Sequence, residues 1–281
     1  MKILKNFVLI AAVSLLLSLW VVAPVRAQQS NPDRITAKWS DPSRPGLLKV
    51  SLLSGGIHVK THDGGDVIIE AGPGRGRRPA PAESAGLRRI DKGASGLIVE
   101  EENNVMSVRN GWFGFDSSDI AIQVPARTNL SLKTLNGGNI VVDGVEGEIE
   151  VTNLNGGVTL NNVAGSVVAH SMNGKVIALL RQVTENKPMA FTSMNGSIDV
   201  TLPSSVKANL KMRTDIGEVY SDFEIERRPS NSPPAAVGLR NRNGRYHFEL
   251  GTNMLGTINS GGPDFDLRTF NGNIYIRKAA K

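Results

Sequence analysis

Residues 128–165 read TNLSLKTLNGGNIVVDGVEGEIEVTNLNGGVTLNNVAG, and they carry one ten-residue frame twice. Counting from the Asn that precedes a Gly, Leu130 and Leu132 stand at −6 and −4, Thr134 at −2, Leu135 at −1 and Asn136 at 0. Ile149, Val151, Asn153, Leu154 and Asn155 fill the same places 19 residues later. Apolar residues at every second position mark a half-buried strand. Each Asn-Gly then ends the strand at a corner, where Gly can take a positive φ. A second alternating run follows the corner, Ile140 and Val142 in one copy, Val158 and Leu160 in the other.

Working outward, the frame recurs at Val167, Ala169, Ser171, Met172 and Asn173, and again at Met189, Phe191, Ser193, Met194 and Asn195. A degraded copy runs through Leu210, Met212, Thr214, Asp215 and Ile216, and reads as an interrupted repeat. The last copy is Phe265, Leu267, Thr269, Phe270 and Asn271, and an early outlier, Leu48, Val50, Leu53, Ser54 and Gly55, fits most of the frame. From 136 to 216 the intervals are 19, 18, 22 and 21 residues, each holding two short strands and two corners. That predicts an all-β chain built as a β-solenoid, a parallel β-helix-like stack with about 4.8 Å between strands. Its structural corners are Asn136-Gly137, Asn155-Gly156, Asn173-Gly174, Asn195-Gly196 and Asn271-Gly272. Stacked asparagines at position 0 would form an amide ladder. The alternative is a meander of Asn-Gly hairpins. Like residues recurring at like positions favour stacking, where each would sit on its equivalent.

The rest of the chain frames this repeat. Residues 1–27 read as a signal peptide: Lys2 and Lys5, an apolar run from Phe7 to Val22, then Val25-Arg26-Ala27 as a cleavage site. The apolar run is short for a bilayer span of about 20 residues, and no later segment is long and apolar enough to cross. An exported protein is expected, periplasmic or at the cell surface. Residues 28–45 read as a flexible linker. Residues 46–126 read as a β portion with a β-hairpin at Leu97–Glu100 and Val105–Arg109, a strand at 119–124 and a basic loop at 72–92. Residues 127–281 form the repeat, with an insertion at 226–244 rich in Arg and Pro.

Composition narrows the chemistry. The 281 residues include no Cys, 30 Gly, 23 Asn and only 5% aromatic residues. Without Cys there are no disulfides, thiolate metal sites or Cys nucleophiles. The net charge of +6 is local: the leader supplies three positive charges, residues 73–92 a net four, and the remainder is near neutral. Nucleic acid is a poor partner for such a distribution. There is no G-x-S-x-G, phosphate loop or H-E-x-x-H, and Gly72-Pro73-Gly74-Arg75-Gly76 opens no helix. His58, His62, His170 and His247 show no ligand spacing, so neither cofactor nor metal is expected. Paired carboxylates are the enzymatic alternative: Glu148 with Glu150, and Asp264 with Asp266, share a solvent face about 7 Å apart by strand rise. Asp116 and Asp119 beside two serines form a weak calcium pattern.

The quoted run from Val124 to Gly165, with SMNGK at 171–175, SMNGSIDVTLP at 193–203 and GGPDFDLRTFNGNIYIRK at 261–278, resembles the bacterial putative-adhesin domain family with β-strand repeats, a family of unknown function. The resemblance covers about residues 46–278. It implies a β-solenoid-like fold, export and a role at the cell envelope, and it transfers no catalytic residues.

Two surfaces are candidates for binding. Arg75, Arg77, Arg78, Arg88 and Arg89 could hold anionic polymer through charge-assisted forks. Trp112, Phe113 and Phe115 could form an adhesive tip, or a cap over the open end of the stack. The expected function is that of an exported non-enzymatic adhesin-like module, with envelope polysaccharide or a surface protein as partner. The alternatives are a carbohydrate-active enzyme using surface carboxylates and a self-assembling structural solenoid.

Overall fold

The computed structural model of the chain describes residues 33–72, 96–110, 119–228, 237–240, 246–249 and 253–279. The chain divides into Met1–Asn31 and Pro32–Lys281. The first unit, and with it the expected signal peptide, lies outside the described residues. All regular structure described in the second is β.

The strands begin with β1 (Asp33–Ala37), β2 (Gly46–Ser54), β3 (Ile57–His62) and β4 (Val67–Ala71). The expected hairpin is β5 (Leu97–Glu102) and β6 (Val105–Asn110), antiparallel, turning on Asn103 and Asn104 at positive φ. The repeat supplies β7 (Ile120–Pro125), β8 (Thr128–Asn136), β9 (Ile140–Asp143), β10 (Glu146–Asn155), β11 (Val158–Ser171), β12 (Val176–Val183), β13 (Met189–Asn195) and β14 (Ile198–Leu202). It continues through β15 (Ala208–Ile216), β16 (Val219–Ser221) and β17 (Glu226–Arg228). The described parts of the 226–249 region also hold β18 (Val237–Arg240) and β19 (Tyr246–Glu249), a separate antiparallel pair. The chain closes with β20 (Met254–Ile258), β21 (Asp264–Asn271) and β22 (Ile274–Lys278). Apart from β18 and β19, all strands belong to one 20-stranded mixed sheet.

The strand segments that meet at an Asn-Gly corner are not hairpin partners: where the flanking strands pair at all, as β10 with β11 and β11 with β12, they do so in parallel through the far half of β11. β8 lies parallel to β2 and β10, placing Leu130 between Leu48 and Ile149; β9 lies parallel to β3 and β11. The corner therefore passes the chain from one ladder to another rather than folding it back as a hairpin. The first ladder runs β6, β2, β8, β10, β11, β13, β21, β15. The second runs β7, β3, β9, β11, β12, β14, β22, β16. β11 serves both: Val158–Asn161 belongs to the second ladder and Ala164–Ser171 to the first, with Asn162 at positive φ between them.

Spatial order departs from chain order at both ends. The first repeat, β2 and β3, lies between β6/β7 and β8/β9. The last, β21 and β22, lies between β13/β14 and β15/β16. The degraded copy is consequently not an interruption. Thr214 is in register with Thr269 and Ile216 with Asn271, in the outermost parallel layer, whose other neighbour is the antiparallel β20. No further Asn stacks beyond it, so position 0 needs no amide there. Among the described residues, antiparallel strands cover three of the four ladder ends, all but that at β16: β5 on β6, β4 and then β1 on β7, β20 on β15 and β17 on β20. They stop parallel addition at those edges.

The core is thin because only alternate residues of each strand face inward. Leu130, Ile149, Val167, Met189 and Phe265 make one buried column, and Leu132, Val151, Ala169, Phe191 and Leu267 a second. Ile140, Val158, Val176, Ile198 and Ile274 line the second ladder. Burial of each large aliphatic or aromatic side chain contributes about 1.5–3 kcal/mol. Within the segment expected as a linker, β1 pairs with β4, and Trp39 is buried against Gly46.

Candidate functional site

Three columns meet where the first ladder turns its corners. The inner one is polar and buried. Thr134 Oγ1 donates to the Gly55 carbonyl at 2.9 Å, Ser171 Oγ to Gly156 at 2.9 Å and Ser193 Oγ to Gly174 at 2.9 Å. Thr269 and Thr214 donate in the same way to Gly196 and Gly272. A hydroxyl at −2 thus satisfies the corner carbonyl of the layer beneath, which burial would otherwise leave unbonded. Asn153 takes this place with its amide, donating Nδ2 to Gly138 and Gly157, while its Oδ1 finds no partner within the protein.

The corner column is the asparagine ladder. Asn155 Nδ2 donates to Asn136 Oδ1 at 3.1 Å, Asn173 to Asn155 at 2.8 Å and Asn195 to Asn173 at 2.9 Å. Asn271 continues it in register with Asn195. Of the glycines after these asparagines, Gly137 and Gly272 take the positive φ expected of a corner, whereas Gly156, Gly174 and Gly196 are needed for a different reason. Gly174 and Gly196 are not at positive φ; a Cβ on either would overlap the carbonyl oxygen of Gly156 or Gly174 respectively.

The outer column is position −1. Residues −6, −4 and −2 face inward, so −1 faces solvent, yet it holds Leu53, Leu135, Leu154, Met172, Met194 and Phe270. Leu135 is 44% exposed, Met194 48% and Phe270 49%, with Leu53 and Met172 also exposed. The frame recorded these apolar residues, but their exposure is legible only once −1 is assigned the opposite parity to −2. Beside them at −3 stand Lys133, Thr152, His170, Thr192 and Arg268. His170 Nδ1 and Thr192 Oγ1 share a 2.6 Å hydrogen bond, and Arg268 is tied to Asp266 at 2.7 Å. Between Lys133 and Arg268 the −1 and −3 positions hold no acidic, Lys or Arg side chain, and Glu150 stands exposed at −5 of its layer.

The carboxylate pairs lie on the solvent side of their strands. Glu148 is engaged by Lys187 and Glu150 is exposed. Asp264 accepts from Asn209 Nδ2 at 3.1 Å, and it shares with Asp266 a shallow cleft of about 320 Å³. A larger cleft of about 590 Å³ lies at the corner of Gly56, Gly138 and Asn139. His58 lines it, and its Nε2 meets Asp143 Oδ2 at 2.7 Å, while Asn161 holds the other Asp143 oxygen. Asp119 Oδ1 accepts from the Gly56 amide. No group of three or more candidate metal-ligating side chains occurs among the described residues. Arg75, Arg77, Arg78, Arg88, Arg89, Trp112, Phe113, Phe115 and Asp116 lie outside the described residues. The side chain of His247 does as well.

On the second ladder, Tyr220 and Tyr275 stack with centroids 5.3 Å apart. The Tyr220 hydroxyl donates to Glu218, whose carboxylate holds that phenol above its usual range. Arg277 forks onto Asp199 at 2.8 and 3.1 Å, which raises its already high pKa. Sequence reading also missed the opposite corner. Asp143-Gly144-Val145-Glu146-Gly147 recurs as Asn161-Asn162-Val163-Ala164-Gly165, with Gly144 and Asn162 at positive φ and Val145 and Val163 buried.

No helix among the described residues is long and apolar enough to cross a membrane. No curated protein matches the chain. A solved structure described as a putative cell adhesion protein from Clostridium sporogenes ATCC 15579 is similar at 10% identity and TM-score 0.43, over 88% of this chain and 100% of that one. Another, described as a putative adhesin from Bacteroides fragilis NCTC 9343, is similar at 13% identity and TM-score 0.32, over 88% of this chain and 97% of that one. The family described as Toastrack DUF4097 matches residues 48–277, most of the chain and all of its repeats, and the protein belongs to that family.

Proposed function

We propose that the chain is an exported, non-enzymatic β-solenoid that acts as an adhesin-like module of the cell envelope, binding through the outer face of its first ladder. The observation that carries this reading is the −1 column. A solvent-facing position on an alternating strand has no core to fill, yet it is apolar in six stacked layers. An exposed apolar stripe on a folded protein marks an interaction surface. The solenoid reading is supported by the two parallel ladders joined through repeated corners. Export is supported by the basic, apolar and small-residue succession of the first 27 residues. A binding role is favoured over glycoside cleavage because Glu148 and Asp266 are each held by a cation, and Glu150 stands on an open strand face. The basic segment at 73–92 offers anionic polymer a second contact.

The test is retention of residues 28–281 on envelope fractions, alongside a chain lacking 73–92 and a Leu135→Ser/Met172→Ser/Met194→Ser variant. Saturable retention that the triple substitution abolishes is expected. A chain that binds no envelope fraction overturns the reading.

A further inference from the structure

We infer that the outer face of the first ladder binds a linear β-1,4-linked polymer of N-acetylhexosamine, lying across the strands with its pyranose faces on the −1 column and alternate acetamido groups against the asparagine ladder. This rests on the adhesin reading and names the ligand class for the same surface.

Four observations select the ligand. The stripe is one side chain wide, and its six layers span about 24 Å at the usual strand spacing. That area is a few hundred Å² at most, well short of the roughly 800 Å² per partner of a stable protein interface, so a second copy of this chain is a poor occupant. The backbone amides and carbonyls of β8, β10, β11 and β13 are bonded on both sides within the ladder. A peptide therefore cannot add as a strand there, which leaves side-chain chemistry alone.

That chemistry repeats by translation. Leu135, Leu154, Met172 and Met194 offer apolar contact at each layer, and Asn136, Asn155, Asn173 and Asn195 offer a carboxamide at each layer. Asn155, Asn173 and Asn195 each spend one Nδ2 hydrogen on the preceding asparagine; Asn155 gives its other to the Leu135 carbonyl, while Asn173 and Asn195 keep a second Nδ2 hydrogen for a ligand. A ligand that matches both columns must itself repeat at close to one strand spacing and must alternate apolar faces with amides. A β-1,4-linked hexosamine chain advances by about one strand spacing per ring, so each layer meets the C–H face of a ring, and because successive rings are flipped every second acetamide faces the ladder. The flanking Thr152, His170 and Thr192 supply hydroxyl and imidazole partners, and the absence of acidic, Lys or Arg side chains at −1 and −3 between Lys133 and Arg268 suits an uncharged polymer.

The experiment titrates the chain with N-acetylglucosamine hexamer and, in parallel, with glucose hexamer of the same linkage, by calorimetry. Binding of the acetylated hexamer at least about tenfold tighter than the plain one is expected, with loss in Leu135→Ser/Met172→Ser/Met194→Ser. The single Met172→Gln variant weakens it in the same direction if the triple variant is poorly folded. Asn173→Leu is expected to narrow the gap between the two hexamers, a readout that general apolar adhesion would not move. Equal affinity for both hexamers overturns the proposal. Failure to bind either one, with retention on envelope fractions still dependent on the −1 column, overturns the ligand class and leaves the adhesin reading standing. Failure of both sinks both.

Discussion

The Thr269 hydroxyl donates to the Gly196 carbonyl at 2.9 Å across 73 residues of chain, and Thr214, which precedes Thr269 in sequence, bonds Gly272 beyond it. The last repeat is therefore wedged between two earlier ones, with β21 paired to β13 on one side and β15 on the other. Sequential coil-by-coil addition from the N-terminus cannot produce that order, because β15 must wait for β21 before it gains its parallel partner. Deleting residues 264–281 should consequently open the stack internally rather than fray its end. The backbone amides of Asn209–Ile216 should lose hydrogen-exchange protection together, and the thermal midpoint should fall by at least several degrees. A truncated chain that keeps β15 protected would show that β15 stands without the wedge.

The corner glycines make a second prediction, in which cause can be separated from conformation. Gly174 and Gly196 are not at positive φ, so strain from φ is not at issue, and a Cβ meets the backbone of the layer beneath, the carbonyl of Gly156 and the nitrogen of Gly157 in one case, the carbonyl of Gly174 and the nitrogen of Lys175 in the other. Gly174→Ala and Gly196→Ala should each cost about 1–3 kcal/mol, the usual range for forcing extra volume into a packed site. Gly65, with nothing within 4 Å of its missing Cβ, provides the control: Gly65→Ala should be neutral within about 0.5 kcal/mol. Urea denaturation of the three variants decides it, and equal stability for all three would remove the contact explanation.

These glycines also show how much of the fold could be read directly. Alternation located most strands, and the recurrence of like residues pointed to stacking, because a buried hydroxyl at −2 and an amide at 0 answer to their own equivalents one layer away. The order of the layers was not legible. Phe265 to Asn271 carries the same frame wherever it is placed, and nothing local distinguishes an outer layer from an inserted one; only register with both β13 and β15 fixes it. The exposed apolar column was half visible. The apolar residues at −1 belong to the repeated frame, but their exposure follows from parity alone, and no sequence motif marks them as the arginine, aromatic and carboxylate clusters are marked.

Acid should loosen one defined place before the ladders. Glu101 accepts from the Ser40 hydroxyl and amide, which holds its carboxyl below the usual range. Asp41 is lowered in the same way by Ser43 and then Arg44. Both groups bind protons less readily folded than unfolded. Their contribution is thus fully present above ordinary carboxylate values and is lost as pH falls through the lowered ones. Exchange protection of the Ser40 amide, bonded to Glu101 at 3.1 Å, should be flat from pH 7 to about 5 and decline below about 4. Glu101→Gln should remove the Ser40 step. Protection unchanged down to about pH 2 would mean that the loop is held by Trp39 packing instead.

The remaining prediction concerns the one amide in the hydroxyl column. Asn153 is fully buried, with Nδ2 bridging the carbonyls of Gly138 at 2.9 Å and Gly157 at 3.1 Å while Oδ1 is unpartnered in the protein. Thr134, Ser171, Ser193 and Thr269 meet the equivalent carbonyl with a single hydroxyl and leave no such oxygen. Asn153→Thr trades the bond to Gly157 for removal of an unbonded buried acceptor, whose cost is about 1–3 kcal/mol when unmet. The substitution should therefore be neutral or stabilise by up to about 1 kcal/mol. Asn153→Val keeps the shape of Thr but strips the donor, orphans the Gly138 carbonyl and should cost about 1–3 kcal/mol. Denaturation midpoints of the two variants test the difference directly. If Thr is as damaging as Val, the bridge to Gly157 is the bond that matters at this layer, and the column is not a set of interchangeable hydroxyl sites.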